Sequence, residues 1–155
     1  MTSPMMTARS MFLAPLLLAA CGGRTLYSTA TQVTPLAPVD AYKCAQAQFK
    51  ALGYSMTAHD DAGFRLVGQK RDTVTRISSI QVRKILDQLE VQAKPRSTGD
   101  SELTIQARSV VELQNAGGLQ QDQREASVQV KADAAALLEH CTAAAADSTV
   151  PQAGY

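Results

Sequence analysis

From Leu103 to Leu113 the chain keeps a two-residue period, with Leu103, Ile105, Ala107, Val111 and Leu113 separated by Thr104, Gln106, Arg108 and Glu112. A helix cannot place such a pattern on one side. An extended strand does, because successive side chains point to opposite faces. The same alternation runs through Leu89-Glu90-Val91-Gln92-Ala93, and Pro95-Arg96-Ser97-Thr98-Gly99-Asp100 between the two reads as a turn. Two antiparallel strands with one dry and one wet face satisfy this pattern better than buried parallel strands, which read as continuous apolar runs.

A dry sheet face needs a cover, and the flanking segments supply two helices. The first is expected over Ala41–Leu52, with Asp40 as cap, a Val39–Cys44 staple and Gly53 in the left-handed position beyond its end. Ala41, Ala45, Gln48 and Leu52 share one broad, mostly apolar face, with Cys44 and Phe49 beside them. The second starts at Asp133 and runs through Cys141 toward Ala146, with Ala134, Leu137, Leu138 and Cys141 inward. Between the helices, Tyr54, Met56 and Ala58, then Phe64, Leu66 and Gly68, predict a hairpin turned at Asp60-Asp61-Ala62-Gly63. Gly63 is expected to relieve the turn, and Gly68 to mark a bulge or close packing. Residues 70–84 show no sustained period and leave loop, short helix and strand open. Residues 114–124 read as a flexible connection before a further strand at Glu125–Lys131, with Ala126, Val128 and Val130 inward. The expected class is α+β: an antiparallel sheet packed by an N-terminal and a C-terminal helix. The 155 residues fit one compact domain, expected over 39–146 with a flexible tail at 147–155.

The amino terminus is a separate unit. Arg9 precedes Met11–Ala20, an apolar run too short to span a bilayer as an ordinary helix but suited to the centre of a signal peptide. Cys21 follows at once, and Gly22-Gly23-Arg24 ends the apolar character. Plain secretion with cleavage near Ala20, or a retained membrane anchor, accounts less well for a cysteine at that position.

The order Leu18-Ala19-Ala20-Cys21 resembles the lipobox of bacterial lipoproteins. That resemblance implies removal of residues 1–20, lipidation of the Cys21 sulfur and acylation of its new amino group with palmitate-type chains. Two or three such chains anchor a protein stably. Gly22, in place of aspartate, implies outer-membrane delivery facing the periplasm if the source has two membranes. Residues 21–38, rich in Ser, Thr, Gly and Pro, are then expected to be a flexible tether, its 17 residues after Cys21 spanning roughly 20–25 Å. The domain is loosely similar to compact domains of outer-membrane assembly lipoproteins.

Export makes a disulfide chemically accessible. Cys44 and Cys141 lie 97 positions apart, one in each expected helix and both directed at the common sheet. Neither belongs to a CxxC motif, so a staple fits better than redox exchange or a zinc site. Lipidation of Cys21 excludes that residue from the pairing.

Removing residues 1–20 takes one basic residue from the 15 and none of the 14 acidic ones, which leaves the mature chain formally neutral. No nucleic-acid partner is expected from that balance. Lys70, Arg71, Arg76, Arg83 and Lys84 form a candidate contact patch for an acidic partner, set against the reading of a solvated connection. His59-Asp60-Asp61 and His140 carry the histidines. Adjacent strand residues alternate faces, so neither site reads as a metal or acid–base centre, and no metal or cofactor is implied. The GxSxG, HExxH, phosphate-loop and dinucleotide-binding patterns are absent from the sequence. Tyr42, Tyr54 and Phe64 are expected to fill the junction between layers, with an aromatic groove as the alternative. These features favour a noncatalytic envelope component that binds protein, ahead of a small-ligand or lipid carrier and of an unfamiliar envelope enzyme. Intact-mass analysis of the native protein is expected to show loss of residues 1–20 and lipid at Cys21; an unmodified mature start would reject the anchor.

Overall fold

The structure is a computed structural model that describes residues 26–73 and 81–147. In chain order its elements are β1 (Ser28–Thr34), α1 (Pro38–Ala51), β2 (Ser55–Asp60), β3 (Arg65–Arg71), β4 (Val82–Pro95), β5 (Ser101–Asn115), β6 (Gly118–Arg124) and α2 (Val128–Asp147). The strands form one antiparallel sheet in which β2, β3, β4 and β5 are successive neighbours. The far side of β5 serves two strands in turn: β1 pairs with Ser101–Ala107 and β6 with Ser109–Asn115. Both helices lie on the same face of the sheet, so the class is α+β, as the alternation and the two helical stripes predict.

The core follows the two-residue period. Leu103, Ile105 and Ala107 of β5 stand opposite Ala93, Val91 and Leu89 of β4, and all six are buried against the helices with Leu66 of β3. The helices contribute Ala41, Ala45 and Phe49 from α1 and Val130, Ala134, Leu137 and Cys141 from α2. Each large aliphatic or aromatic side chain removed from water in this layer adds about 1.5–3 kcal/mol of driving force. At Gly68 α1 packs tightly on β3: a Cβ there would lie 2.6 Å from the Phe49 ring, so only glycine admits that ring where it stands. The expected close packing at Gly68 is therefore present. Tyr42 meets Phe64 edge-on at 6.1 Å and Phe49 meets Tyr54 at 5.6 Å, which fills the junction between α1 and the hairpin. The Cys44–Cys141 disulfide joins the two helices, with Cα atoms 5.8 Å apart.

Several boundaries differ from the expectations, each for a local reason. Residues 28–34 are not tether but strand β1, so the folded domain begins well before residue 39. Asp40 lies in the first turn of α1, where its charge suits the helix dipole; the cap position is Ala37, with no side-chain cap and Pro38 presetting the first helical φ. Val39 accordingly sits inside that turn and is exposed. Gly53 does take the left-handed conformation, at φ 78°. In the β2–β3 turn the positive φ falls on Phe64, at 48°, and Gly63 instead makes room for the Asp60 carboxylate. Lys70 and Arg71 end β3 and Arg83 and Lys84 open β4, while 74–80 lie outside the described residues.

The connection expected at 114–124 is the end of β5, a tight turn and β6. Asn115 Oδ1 accepts from the Gly117 N–H at 3.1 Å, and Gly118 takes φ 111°. The strand expected at Glu125–Lys131 is instead the start of α2. Ser127 Oγ accepts from the Val130 N–H at 3.0 Å and caps the helix, which leaves Val128 exposed on its outer side. The signal segment, Cys21, Arg76 and residues 148–155 lie outside the described residues.

Replacing Cys44 and Cys141 together by alanine is expected to lower unfolding stability by about 2–4 kcal/mol. Urea denaturation of oxidised, reduced and substituted protein checks this, and coincident midpoints would show that the bridge adds nothing.

Candidate functional site

Two places on the helix-covered side gather polar groups or open space. The first is a polar cluster that pins α2 to the sheet. On β4 and β5 the inward phase runs on from the core through Asp87 and Ser109, which are register partners. Asp87 is fully buried; its Oδ1 accepts from Ser109 Oγ at 2.7 Å, and Ser127 Oγ donates to the same carboxylate at 3.0 Å. Ser109 Oγ also accepts from the Ser127 N–H at 3.0 Å. Burial pushes the Asp87 carboxyl above its ordinary range, and the two serine hydroxyls oppose that shift.

Beside this group, Asp133 on α2 gathers partners from the α1–β2 connection, from β3 and from its own helix. Tyr54 Oη donates to its Oδ2 at 2.8 Å and Gln129 Nε2 to its Oδ1 at 2.9 Å. The Lys70 ammonium pairs with Oδ2, donates to the Leu52 carbonyl at 3.3 Å and stands 4.7 Å from the centre of the Tyr54 ring. Burial and the bond to Asp133 push the Tyr54 phenol far above its usual range, so it serves as a fixed donor. These groups are committed to one another, and the cluster orients α2. A cavity of about 350 Å³ adjoins it, lined among others by Asp72, Ser109, Arg124, Ser127 and Lys131.

The second place is a groove of about 270 Å³ between β1 and α2. Its floor is Ala30, Ala134, Ala135 and Leu138, and its rim is Ser28, Gln32, Lys131, Glu139 and Thr142. The two elements run the same way: Ser28, at the start of β1, pairs with Ala107, two residues from the Ser109 that bonds Ser127 at the start of α2, and Thr34 Oγ1, at the end of β1, donates to the Cys141 carbonyl at 3.2 Å. β1 is the terminal strand of the sheet order, so its outer backbone edge borders this groove. An extended chain laid along that edge would place alternate side chains on the alanine and leucine floor.

The residues singled out in sequence are distributed differently. Lys70 points into the domain, whereas Lys84 pairs with Glu112 at 3.0 Å on the opposite sheet face. Arg83 Nη1 donates to Gln114 Oε1 at 3.5 Å and Arg71 ends β3. Among the described members of that set, strand alternation thus places Lys70 and Lys84 on opposite sheet faces, and Arg76 lies outside the described residues. His59 lies exposed on β2; Asp60 accepts from the Ala62 and Gly63 N–H groups, and Asp61 accepts from Tyr42 Oη at 2.5 Å. The Asp60 carboxylate closes the turn, and that of Asp61 ties the turn to α1. His140 is exposed on α2. Among the described residues no group of three or more His, Cys, Asp or Glu is placed to hold a metal ion, and no helix is long and apolar enough to cross a membrane.

Sequence reasoning passed over Asp87, Ser109 and Ser127. The signal for Asp87 and Ser109 was phase: each continues the inward series of its strand, where a polar residue has to find a buried partner. Ser127 was hidden by the reading of its segment as strand.

No protein-family model matches the chain, and no curated protein matches it. Solved structures similar to it include a DUF4468 family protein from Bacteroides ovatus, 10% identical over 79% of this chain and 80% of that one, with a TM-score of 0.35. A likeness of that size carries no functional argument.

Asp87 supplies a pH test of the cluster. Its raised folded pKa means that the native chain holds this proton more tightly than the unfolded chain, whose value is near 3.8. The contribution is fully present below that value and is lost as pH rises through the folded value. The wild-type urea midpoint, taken relative to Asp87→Asn, is expected to fall across that window and level off above it. Parallel curves would remove Asp87 as the titrating group.

Proposed function

We propose that this chain is a noncatalytic, lipid-anchored envelope protein that binds another protein along the groove between β1 and α2. The single observation behind the binding reading is the pairing of an uncharged strand edge, which has no second partner strand among the described residues, with an apolar helix stripe. Backbone hydrogen bonds along such an edge supply affinity, and the groove selects side chains at alternate positions. Anchorage rests on Leu18-Ala19-Ala20-Cys21, and the same reading assigns the outer membrane, periplasmic side. With β1 folded into the sheet, the tether shortens to residues 21–27. Fully extended it reaches about 25 Å, so the domain works close to the headgroups.

A second reading, carriage of a small ligand, draws on the cavity of about 350 Å³ beside Ser109 and Ser127. Extraction of the native protein in mild detergent, followed by purification, separates the two. A protein recovered in stoichiometric amount and lost with Ala135→Glu is expected. A bound small molecule without any protein would transfer the assignment to ligand carriage.

A further inference from the structure

We infer that the occupant of the groove is a second copy of this chain, joined β1 to β1 about a two-fold axis through Thr31. The inference rests on the reading of the groove as a protein-binding site and names its partner. Three observations carry it.

The sheet edges differ in how they discourage pairing. β2 breaks register between Met56 and Ala58 and carries His59 and Asp60, and β6 carries Asp122 and Arg124. β1, Ser-Thr-Ala-Thr-Gln-Val-Thr, has no charge, no proline, no glycine and no register break. Charges, prolines and bulges are the usual protection of an exposed edge, and this one has none of them.

β1 is also complementary to itself. Antiparallel pairing centred on Thr31 sets Ser28 opposite Thr34, Thr29 opposite Val33 and Ala30 opposite Gln32 of the second copy. The outer face then carries β-branched cross-strand pairs along its length.

The helix beside the edge obeys the same symmetry. α2 packs over both β1 and β5, so strands about 4.8 Å apart across the axis bring the two α2 axes to about 10 Å, the separation of packed helices. Ala134 and Ala135 are small enough for that approach. Lys131 and Glu139 lie four residues to either side of Ala135, and both line the groove. Reversing the second helix sets each Lys131 beside the other copy's Glu139. Among the described residues Lys131 pairs with Glu125, an exposed contact at 3.1 Å that exchanges readily. An unrelated strand could use the edge but would not meet this charge pattern.

The test uses the full-length protein processed in its own envelope, in two differently tagged copies. Facing residues of antiparallel strands lie about 4.5–5.5 Å apart at Cα, within disulfide reach. Thr31→Cys, on the exposed outer face, is expected to give a disulfide-linked dimer under oxidising conditions. Thr29→Cys alone is expected to give none, while Thr29→Cys in one copy with Val33→Cys in the other restores the link. Lys131→Glu and Glu139→Lys should each weaken dimerisation by roughly tenfold, since two ion pairs become repulsive, and the double exchange should recover it. Retention of the Cys44–Cys141 bridge controls for folding. Equal linking at positions 29 and 31, or no recovery in the double exchange, would overturn the inference. Absence of both copies but recovery of another protein sensitive to Ala135→Glu would overturn it while leaving the groove as a binding site; recovery of no protein would remove both.

Discussion

β5 is hydrogen-bonded along nearly its whole length on both sides, and the rest of the domain is arranged around that strand. One side holds β4 from Pro95 back to Val82; the other holds β1 up to Ala107 and β6 from Ser109 onward. Because side chains alternate, the register of this ladder decides which residues meet the helices. A slip of one residue would turn Leu103, Ile105 and Ala107 to solvent and bring Thr104, Gln106 and Arg108 inside. The apolar layer thus selects one pairing, and the helices can dock only on the face that the pairing creates.

That dependence explains how much could be read from the residues. The central strands and both helices announce themselves because each buries a periodic apolar set, whereas β2 is exposed throughout and was legible from the turn formers after it and from Tyr54, which is buried just before it. β1 and β6 do not announce themselves. Every residue of β6 after Gly118 is exposed, and β1 buries only Thr34 fully, so neither has a dry face to generate alternation. What remained in β1 was the weaker preference of Thr29, Thr31, Val33 and Thr34 for extended backbone. At Glu125–Lys131 two periods competed. Ala126, Val128 and Val130 alternate as a strand would, but Val130, Ala134, Leu137 and Cys141 form a helical stripe that buries more. The groove was invisible for the same reason as β1, since it exists only where that strand and α2 come together.

The buried polar groups complement the apolar layer. Greasy contact is tolerant of sliding and rotation, whereas the Asp87–Ser127 and Asp133–Tyr54 bonds each have one geometry. Together they fix where α2 starts and which way it turns. The direction of α2 in turn aligns its alanine stripe with β1, so the outline of the groove traces back to a few inward polar positions on β4 and β5.

The placement of the disulfide bears on how an exported, lipid-anchored chain of the proposed kind would reach this structure. Cys44 and Cys141 belong to the first and last helices of the chain, 97 positions apart in sequence. Cys21 is far nearer to Cys44 in sequence, and short loops close at lower entropic cost than long ones. While its sulfur stayed a thiol, Cys21 would be a kinetic rival for Cys44. Capping that sulfur leaves one correct bridge to make, so the chemistry that fastens such a chain to a membrane would also act as proofreading for its oxidation.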